Sequence, residues 1–377
     1  MKRIYIYVIT AFALLAGACS DNNLNDDAPV VPATPDIVIP EGAAEGELLI
    51  KFVPEMTEIL DRTMKTRAAG ASTRSGIPST DEVLSILGAY DFERVFPVDS
   101  RTEEKSREAG LHLWYLVRFD KNTDLKEAME RLSGLGEISK LQINPAIQRA
   151  YNPKKKPVPV SEAALNRMRT RAAADNGFKF NDALLPHQWG YINRGAYDFA
   201  TENAPAIVGS DVNCEEAWEL CTGDPEIIVA VLDEGVMYTH EDLTANMWVN
   251  EKEQVGSDQD NDGNGYKGDR YGYNFVKDNG NISWQAAEDT GHGTHVAGTI
   301  AAVNGNNKGV CGIAGGDGTK KGVRIMSCQV FDGDGQVRMV NEARAIKYAA
   351  DNGAVILQCI WGYNSAYSNP MQGYIPG

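Results

Sequence analysis

The sequence predicts an α/β fold with a doubly wound parallel sheet, preceded by a small α+β domain. Residues 227–232 and 354–361 are continuous apolar runs of strand length, which is the pattern of parallel strands buried on both faces. A further strand over 322–331 and an amphipathic helix over 337–352 lie between them, so strands and helices alternate as they do around a parallel sheet. With 377 residues, 43% of them apolar, the chain can form a large core and more than one domain.

The smaller domain is predicted over residues 45–151. Its elements, in order, are strand 47–53, helix 81–90, strands 92–98 and 112–119, a helix from 122 to about 134, and strand 138–150. The order β-α-β-β-α-β is that of the ferredoxin-like split unit. The Arg-, Ala- and Ser-rich stretch 62–79 is predicted to be a flexible insertion in this domain.

Residues 1–19 have the pattern of a secretory signal peptide: a basic start, an apolar run and small residues before Cys19. The five residues that end in Cys19 resemble a bacterial lipobox, in which the cysteine becomes the lipid-modified first residue. An ordinary cleavage site with a chance cysteine is the alternative. Residues 20–44 predict a flexible tether. The lipobox implies a lipid-anchored protein of the cell envelope, and the acidic tract 20–27 resembles the export signal of surface lipoproteins, which implies an exposed position on the outer membrane.

The chain is acidic, with a net charge of −16 and a pI of about 4.8. This charge argues against nucleic acid as a partner and suits a secreted protein that binds divalent cations. Besides Cys19 there are five cysteines, an odd number whose spacings fit neither a metal cluster nor a disulfide framework. Cys214 and Cys221, if helical, lie roughly 10 Å apart along the axis, which is too far for a disulfide. We therefore expect buried free thiols.

A histidine and an aspartate stand where α/β sheets place their active sites. His292 lies in the run Asp-Thr-Gly-His-Gly-Thr-His over 289–295, at the start of an apolar, small-residue helix that continues to 302. Asp233 directly follows the strand 227–232, so its carboxylate is expected at the carboxyl end of a parallel strand.

The runs around His292 and Asp233 resemble the histidine and aspartate motifs of the subtilases, the subtilisin-like serine proteases. The likeness is strong over 227–302 and extends over about 45–377, and it departs from the usual Asp-Thr/Ser-Gly motif at Glu234. It implies hydrolysis of peptide bonds in proteins by an Asp-His-Ser triad. In such a triad His292 takes the serine proton and passes it to the leaving amine, while Asp233 holds the imidazole in one tautomer.

The resemblance also implies roles for the rest of the chain. By this resemblance, residues 45–151 correspond to a propeptide that acts as intramolecular chaperone and inhibitor. Residues 152–177 correspond to a linker, with a candidate processing site at Thr-Arg-Ala, 170–172. Residues 178–377 become an incomplete subtilisin-like catalytic domain, about its N-terminal two-thirds. The residues implied to flank a peptide or protein substrate, which pairs with them as an added strand, are Gly333, Gly335, Trp361 and Gly362.

A structural calcium site is predicted in the insertion ahead of His292. Oxygen-bearing side chains recur there at alternate positions around a glycine turn, which is the logic of a calcium loop. The predicted ligands are Asp258, Asp260, Asp262, Asn264 and Asp269. The twelfth loop position is Asp269 and not Glu, so the loop is not a complete EF-hand, and a surface acidic turn without metal is the alternative. A second candidate is 303–307, which resembles the calcium loop that follows the histidine helix in many subtilases.

No serine after His292 lies in the Gly-Thr-Ser-Met-Ala setting that places the subtilase nucleophile at a helix start. Ser327 falls inside a predicted strand, and Ser365 and Ser368 fall in a polar tail. We expect this chain by itself to be inactive, because a base without a nucleophile cannot carry out acyl transfer. The competing interpretation is a non-catalytic peptide-binding lipoprotein derived from a subtilase. An Asp/His metallohydrolase is disfavoured, since the motif lacks a third ligand at helical spacing.

Overall fold

The computed structural model describes residues 37–39, 42–66, 74–152, 161, 163, 166, 177–195, 206–285, 289–333 and 337–363. Several predictions concern positions outside these ranges: the signal peptide, Cys19, the candidate processing site at 170–172, Gly335, Ser365 and Ser368. Within the described ranges, no helix combines the length and apolar character needed to cross a membrane. The five cysteines among these residues are free, as expected, but the expectation that they are buried is wrong for Cys221 and Cys359, which are exposed.

The N-terminal part of the structure contains a four-stranded antiparallel sheet. Its strands are β1 (Ala43–Phe52), β2 (Asp91–Arg94), β3 (Trp114–Arg118) and β4 (Ile138–Pro145), in the spatial order β2-β3-β1-β4. Its helices are α1 (Thr57–Thr66), α2 (Pro78–Ile86), α3 (Glu103–Glu108) and α4 (Leu125–Ser133). The elements follow the predicted β-α-β-β-α-β order with two further helices, α1 and α3.

One face of this sheet forms a core with the helices. Leu48, Ile50 and Phe52 alternate along β1 and are fully buried, as the two-residue period of a strand requires. Leu60 of α1 packs into the same core. The prediction of a flexible insertion from residue 62 is therefore wrong for 62–66, because burial of an apolar face stabilises a helix there. α4 begins after Asp124, whose carboxylate caps it by accepting from two backbone N–H groups of the first turn.

The second sheet is parallel, as predicted, and carries an α/β arrangement. Its strands are β6 (Ile228–Glu234), β7 (Gly272–Asn274), β8 (Arg324–Phe331) and β9 (Ala354–Cys359), in the order β7-β8-β6-β9. The helices of this part are α5 (Cys214–Leu220), α6 (His292–Ala301) and α7 (Met339–Asp351).

The two faces of the parallel sheet are covered by different helices. Ile228 and Leu232 of β6 pack in a core that includes Tyr348 of α7. Val231, which points to the opposite face, packs in a core that includes Ala297 of α6. The sheet is therefore doubly wound, as predicted, and β6 is buried along its whole length because helices cover it on both sides.

The apolar run 354–361 differs from its prediction as one buried strand. It forms β9, and then β10 (Trp361–Tyr363), which belongs to a separate two-stranded sheet. Val355 and Ile356 are 62% and 50% exposed. Their exposure follows from the position of β9 at the edge of the described sheet, where no described strand pairs with its outer side.

The antiparallel sheet packs against α7 through its outer face. Leu49, Phe96 and Leu116 form an apolar cluster with Met339 and Val340 of that helix. The chain then leaves β4 and forms β5 (Ile147–Arg149), which pairs antiparallel with β10. The last strand of the N-terminal part therefore lies against the segment that follows the parallel sheet.

Candidate active site

Asp233 and His292 meet at the carboxyl end of β6. Nδ1 of His292 lies 2.7 Å from Oδ2 of Asp233. The Asp233 side chain is fully buried, whereas 25% of the His292 side chain is exposed. A carboxylate can only accept a hydrogen bond, so this contact assigns the imidazole proton to Nδ1 and leaves Nε2 as the basic nitrogen. The pair can act as an oriented general base that is backed by a buried carboxylate.

Glu234 and two glycines fix the position of the imidazole. The backbone N–H groups of Thr290 and His292 donate to the Glu234 carboxylate at 2.8 and 3.2 Å. Gly291 precedes α6 with a φ of +76°, which other residues rarely adopt. A Cβ on Gly293 would lie 2.2 Å from the Glu234 carbonyl oxygen. The start of α6 therefore lies close enough to β6 for the imidazole to reach the carboxylate of the strand.

The strand β5 lies beside this pair, between β10 and the segment around Val337. We call the space that β5 fills the groove. β10 pairs with β5 through Trp361, opposite Arg149, and Gly362, opposite Gln148. On the other side of β5, the N–H of its first residue donates to the carbonyl of Val337 at 3.2 Å. Two of the predicted substrate-flanking residues thus pair with a strand of the same chain, in the manner of strand addition.

Tyr151 covers the imidazole of His292. The two rings are stacked, with centroids 3.7 Å apart and an angle of 7° between their planes. The Tyr151 hydroxyl donates to Oδ1 of Asp233 at 3.3 Å. Burial, together with the negative charge of Asp233, raises the pKa of Tyr151, so the phenol is neutral and remains a donor. Sequence reasoning missed Tyr151, because nothing in the run that contains it shows that the chain folds back onto the histidine.

Arg149, two residues earlier, lies in a site built from four groups. Its Nε donates to Glu234 Oε1 at 3.1 Å, and its terminal nitrogen donates to the carbonyl of Gly333 at 3.0 Å. The same nitrogen lies 3.8 Å from a carboxylate oxygen of Asp289. The guanidinium carbon lies 4.9 Å from the centroid of the Phe331 ring. We call Glu234, Asp289, Phe331 and Gly333 the guanidinium site.

Three carboxylates converge in the predicted calcium region. Oxygen atoms of Glu253, Asp262 and Asp269 all lie within 4.8 Å of one another. Burial, together with the charges of Asp262 and Glu253, raises the pKa of Asp269 to about 6, although hydrogen bonds from Asn264 and Tyr348 act in the opposite direction. Hard carboxylate oxygens are the ligands that calcium prefers, and a divalent cation would relieve this repulsion. The donor set therefore fits calcium.

The other predicted calcium ligands lie differently. Asp258 is exposed, and Asp260 accepts from backbone N–H groups of its own loop, at 2.8 Å from Gly263 and 2.8 Å from Gly265. Asn264 donates its amide to Asp269 at 2.9 Å. The converging carboxylates thus include two predicted ligands, Asp262 and Asp269, and add Glu253. Sequence reasoning missed Glu253 because it precedes the loop and shares no spacing with it.

The second calcium candidate, loop 303–307, is held by two buried aspartates. The Asn306 amide donates to Asp242 at 2.7 Å, and the Gly305 N–H donates to Asp182 at 2.6 Å. Burial raises the pKa of both carboxyls. These oxygens bind the loop itself. Among the described residues they form no cluster of three potential ligands.

Ser327 is the serine after His292 that lies among the described residues. It is fully buried in β8, and its Oγ accepts the Val236 N–H at 3.1 Å. This hydroxyl therefore serves as a hydrogen-bond acceptor in the interior of the fold and does not contact the imidazole of His292.

The chain is similar in sequence to proteins of the subtilase family. Residues 224–374 match the profile of the subtilase family, peptidase S8. The chain is 32% identical over 214 residues to subtilisin-like protease 1 of Plasmodium vivax, and this alignment covers 56% of this chain and 30% of that protein. It is 28% identical over 238 residues to kexin of Saccharomyces cerevisiae, which covers 63% of this chain and 24% of that protein.

Among solved structures, a serine protease of Aeromonas sobria in complex with its chaperone aligns at a TM-score of 0.35 and 20% identity. That alignment covers 55% of this chain and 28% of the protease. The chain thus spans less than a third of the length of each of these three proteins.

Proposed function

Because this chain belongs to the subtilase family over residues 224–374, we propose that the protein is a subtilisin-like serine endopeptidase that hydrolyses peptide bonds in proteins. The observation that carries the proposal is the 2.7 Å hydrogen bond between His292 and Asp233 at the carboxyl end of β6. In the reaction, Nε2 of His292 takes the proton of a serine nucleophile and delivers it to the leaving amine. Asp233 keeps the imidazole proton on Nδ1 and stabilises the imidazolium that forms.

The nucleophile in this proposal is a serine other than Ser327, whose side chain is buried in β8 and whose hydroxyl accepts the Val236 N–H. The test compares the product of the complete gene with residues 1–377 alone, using a fluorophosphonate probe and a casein substrate. We expect the complete product to be labelled and active, and residues 1–377 alone to be neither.

His292→Ala should reduce casein hydrolysis by the complete product about a thousandfold or more, because the base is lost. His240→Ala is the matched control, because Nδ1 of His240 accepts the Asp242 N–H and the ring is joined to neither Asp233 nor His292 by a hydrogen bond in the described part of the chain; activity should stay near wild type. Hydrolysis that survives His292→Ala would contradict the proposal. Activity of residues 1–377 alone would show that a serine of this chain is the nucleophile.

The substrate is proposed to bind as the strand that β5 mimics. Backbone pairing with Trp361 and Gly362 and the side-chain contact at the Gly333 carbonyl support this position. Residues 45–151 are proposed to act as an inhibitor, since β5 fills the groove and Tyr151 stacks on the imidazole. The chain must move away from His292 before a substrate can reach it.

Calcium is proposed as a structural ion, with Glu253, Asp262 and Asp269 as ligands. The ion supplies positive charge to three carboxylates that otherwise repel one another. The chain's own residues shape the site: the Asn250 amide donates to Asp269 at 3.1 Å and the Tyr348 hydroxyl at 2.8 Å.

A lipid anchor at Cys19 is proposed from the sequence alone. The apolar run that ends in small residues before Cys19 supports it. The anchor would hold the protein in the cell envelope, at the outer membrane, with the segment 20–44 as its tether.

A further inference from the structure

The geometry points to the guanidinium site as a subsite for the side chain of arginine in the substrate, with Glu234 as its specificity-determining residue and Arg149 as the internal occupant. This inference rests on the proposed function, because it concerns the groove in which the substrate would lie. It adds a substrate class: peptides with an arginine at the position that Arg149 takes in β5.

The contacts of Arg149 are those of side-chain recognition. Its guanidinium donates through Nε to a carboxylate and through a terminal nitrogen to a carbonyl, and it faces an aromatic ring. These directions suit the planar, forked guanidinium better than a lysine ammonium, which is a single point of charge. Only 14% of the Arg149 side chain is exposed. The site therefore recognises shape as well as charge.

The pairing of β5 makes Arg149 equivalent to a substrate residue. Arg149 is opposite Trp361, and Tyr151, two residues further on, lies on the imidazole of His292. A substrate strand that replaces β5 and crosses the imidazole at the same point brings one of its side chains to the guanidinium site.

The charge of the site requires a cation. The side chains of Glu234 and Asp289 are both fully buried. When β5 leaves, the Glu234 carboxylate loses the guanidinium that pairs with it at 3.1 Å. An arginine from the substrate restores that ion pair, which a neutral side chain cannot form.

Glu234 also has a structural role that the test must separate. It accepts the backbone N–H groups of Thr290 and His292 and so positions the start of α6. If that were its whole role, a change at Glu234 would affect all substrates equally. The ratio of the dissociation constants of two peptides that differ at one side chain is unaffected by such a general change and therefore reports recognition of that side chain alone.

The first experiment measures binding and needs no catalysis. The full chain carrying Arg149→Ala loses the side chain that holds β5 in the site, so an excess of peptide can compete with the weakened β5 for pairing with β10. Fluorescent peptides of the sequence Ala-Ile-Gln-Xaa-Ala-Tyr-Asn are titrated by anisotropy, with arginine, lysine or the neutral isostere citrulline at Xaa. We expect arginine to bind about tenfold or more tighter than citrulline, with lysine between them, because its hydrogen bonds are charge-assisted.

In the same Arg149→Ala background, Glu234→Gln should bring the arginine-to-citrulline ratio towards one. Glu219→Gln is the matched control; that glutamate is 72% exposed in its side chain and pairs with Lys179, so the ratio should not change. Circular dichroism checks the fold of each variant. If Glu234→Gln fails to fold, the peptide comparison on Arg149→Ala decides by itself. Equal binding of the arginine and citrulline peptides overturns the inference. If neither peptide displaces β5, the ratio of kcat/KM values in the second experiment decides.

The second experiment measures kcat/KM of the complete gene product for the same peptides. Preference for arginine that Glu234→Gln removes supports the subsite. Cleavage with no such preference overturns the subsite and leaves the proposed function standing. Arginine-selective binding in the first experiment, with no cleavage in the second, would overturn the proposed function and leave the subsite standing.

Discussion

Gly293 is the residue on which the contact between His292 and Asp233 depends most directly. An added Cβ would lie 2.2 Å from the Glu234 carbonyl oxygen, so Gly293→Ala must push α6 away from β6. We expect the free energy of unfolding to fall by about 1–3 kcal/mol. In the complete gene product, the rate of casein hydrolysis should fall far more than the folded fraction of the protein does, since a small displacement of His292 disrupts the geometry of catalysis.

Gly298→Ala is the control in the same helix. A Cβ at Gly298 meets no atom within 4 Å, so the substitution should stabilise the helix by up to about 1 kcal/mol. Thermal unfolding of both variants checks the difference. Equal effects of the two substitutions would show that close packing at Gly293 does not set the geometry.

Cys19 carries a second prediction at the scale of a residue. If its thiol is lipidated, cells fed an alkyne fatty acid should yield labelled protein in the membrane fraction. Cys19→Ala should abolish the label and release the protein, whereas Cys221→Ala, at an exposed free cysteine, should leave both unchanged. Label that persists in Cys19→Ala would rule out the anchor.

Among the larger elements, the acidic loop around 250–269 should respond to calcium. A cation bound by Glu253, Asp262 and Asp269 stabilises the folded state by mass action, so a chelator should lower Tm and added calcium should restore it. Asp269→Asn should remove most of this response. Asp258→Asn should retain it, because Asp258 is exposed and is not one of the converging carboxylates. Differential scanning calorimetry with and without calcium is the measurement, and a response lost in Asp258→Asn but kept in Asp269→Asn would contradict the assignment.

The elements that the sequence predicted best are those with a strong local signal. β6 follows from an uninterrupted apolar run, and α6 begins at the histidine of a glycine-rich motif, so local sequence signals are enough to predict where Asp233 and His292 lie in these elements. The run 354–361 shows the limit. It divides at residue 360, because the backbone from Trp361 pairs with β5 and no longer with β6.

Contacts between distant segments could not be predicted in this way. Arg149 and Tyr151 lie at the end of a predicted strand, and no periodicity shows that they reach Glu234 and His292. Glu253 likewise joins the calcium candidates only through the fold of its loop. Such contacts depend on how the sheets pack, and a pattern along the chain does not contain that information.

At the scale of the whole molecule, we propose that docking of the antiparallel sheet on α7 helps to hold β5 in the groove. Beyond the apolar cluster, Arg344 of α7 donates to the Val95 carbonyl at 2.6 Å and to Glu93 at 3.0 Å. Burial alone would raise the pKa of Glu93, but Arg344 and Arg118 lower it below its ordinary value. Since the folded-state pKa of Glu93 is depressed, the ionised carboxylate stabilises docking at neutral pH, and this contribution is lost as pH falls below the ordinary range of a glutamate and through that lowered pKa.

Weakening the contact between the antiparallel sheet and α7 should therefore allow β5 to leave the groove more often. Arg344→Ala removes two contacts to the antiparallel sheet, and we expect amide hydrogen exchange over 146–151 to become about fivefold faster, as about 1 kcal/mol of docking energy is lost. Acidification below the ordinary pKa of a glutamate should accelerate exchange of the same amides in the wild type, after correction for intrinsic rates, and should have little further effect in Arg344→Ala. Arg131→Ala, which breaks an exposed pair with Glu127 on α4, is the control and should leave this segment unchanged. If Arg344→Ala lowers Tm but leaves exchange over 146–151 at the wild-type rate, β5 is held by its own pairing with β10 and docking of the sheet is not what keeps the groove filled.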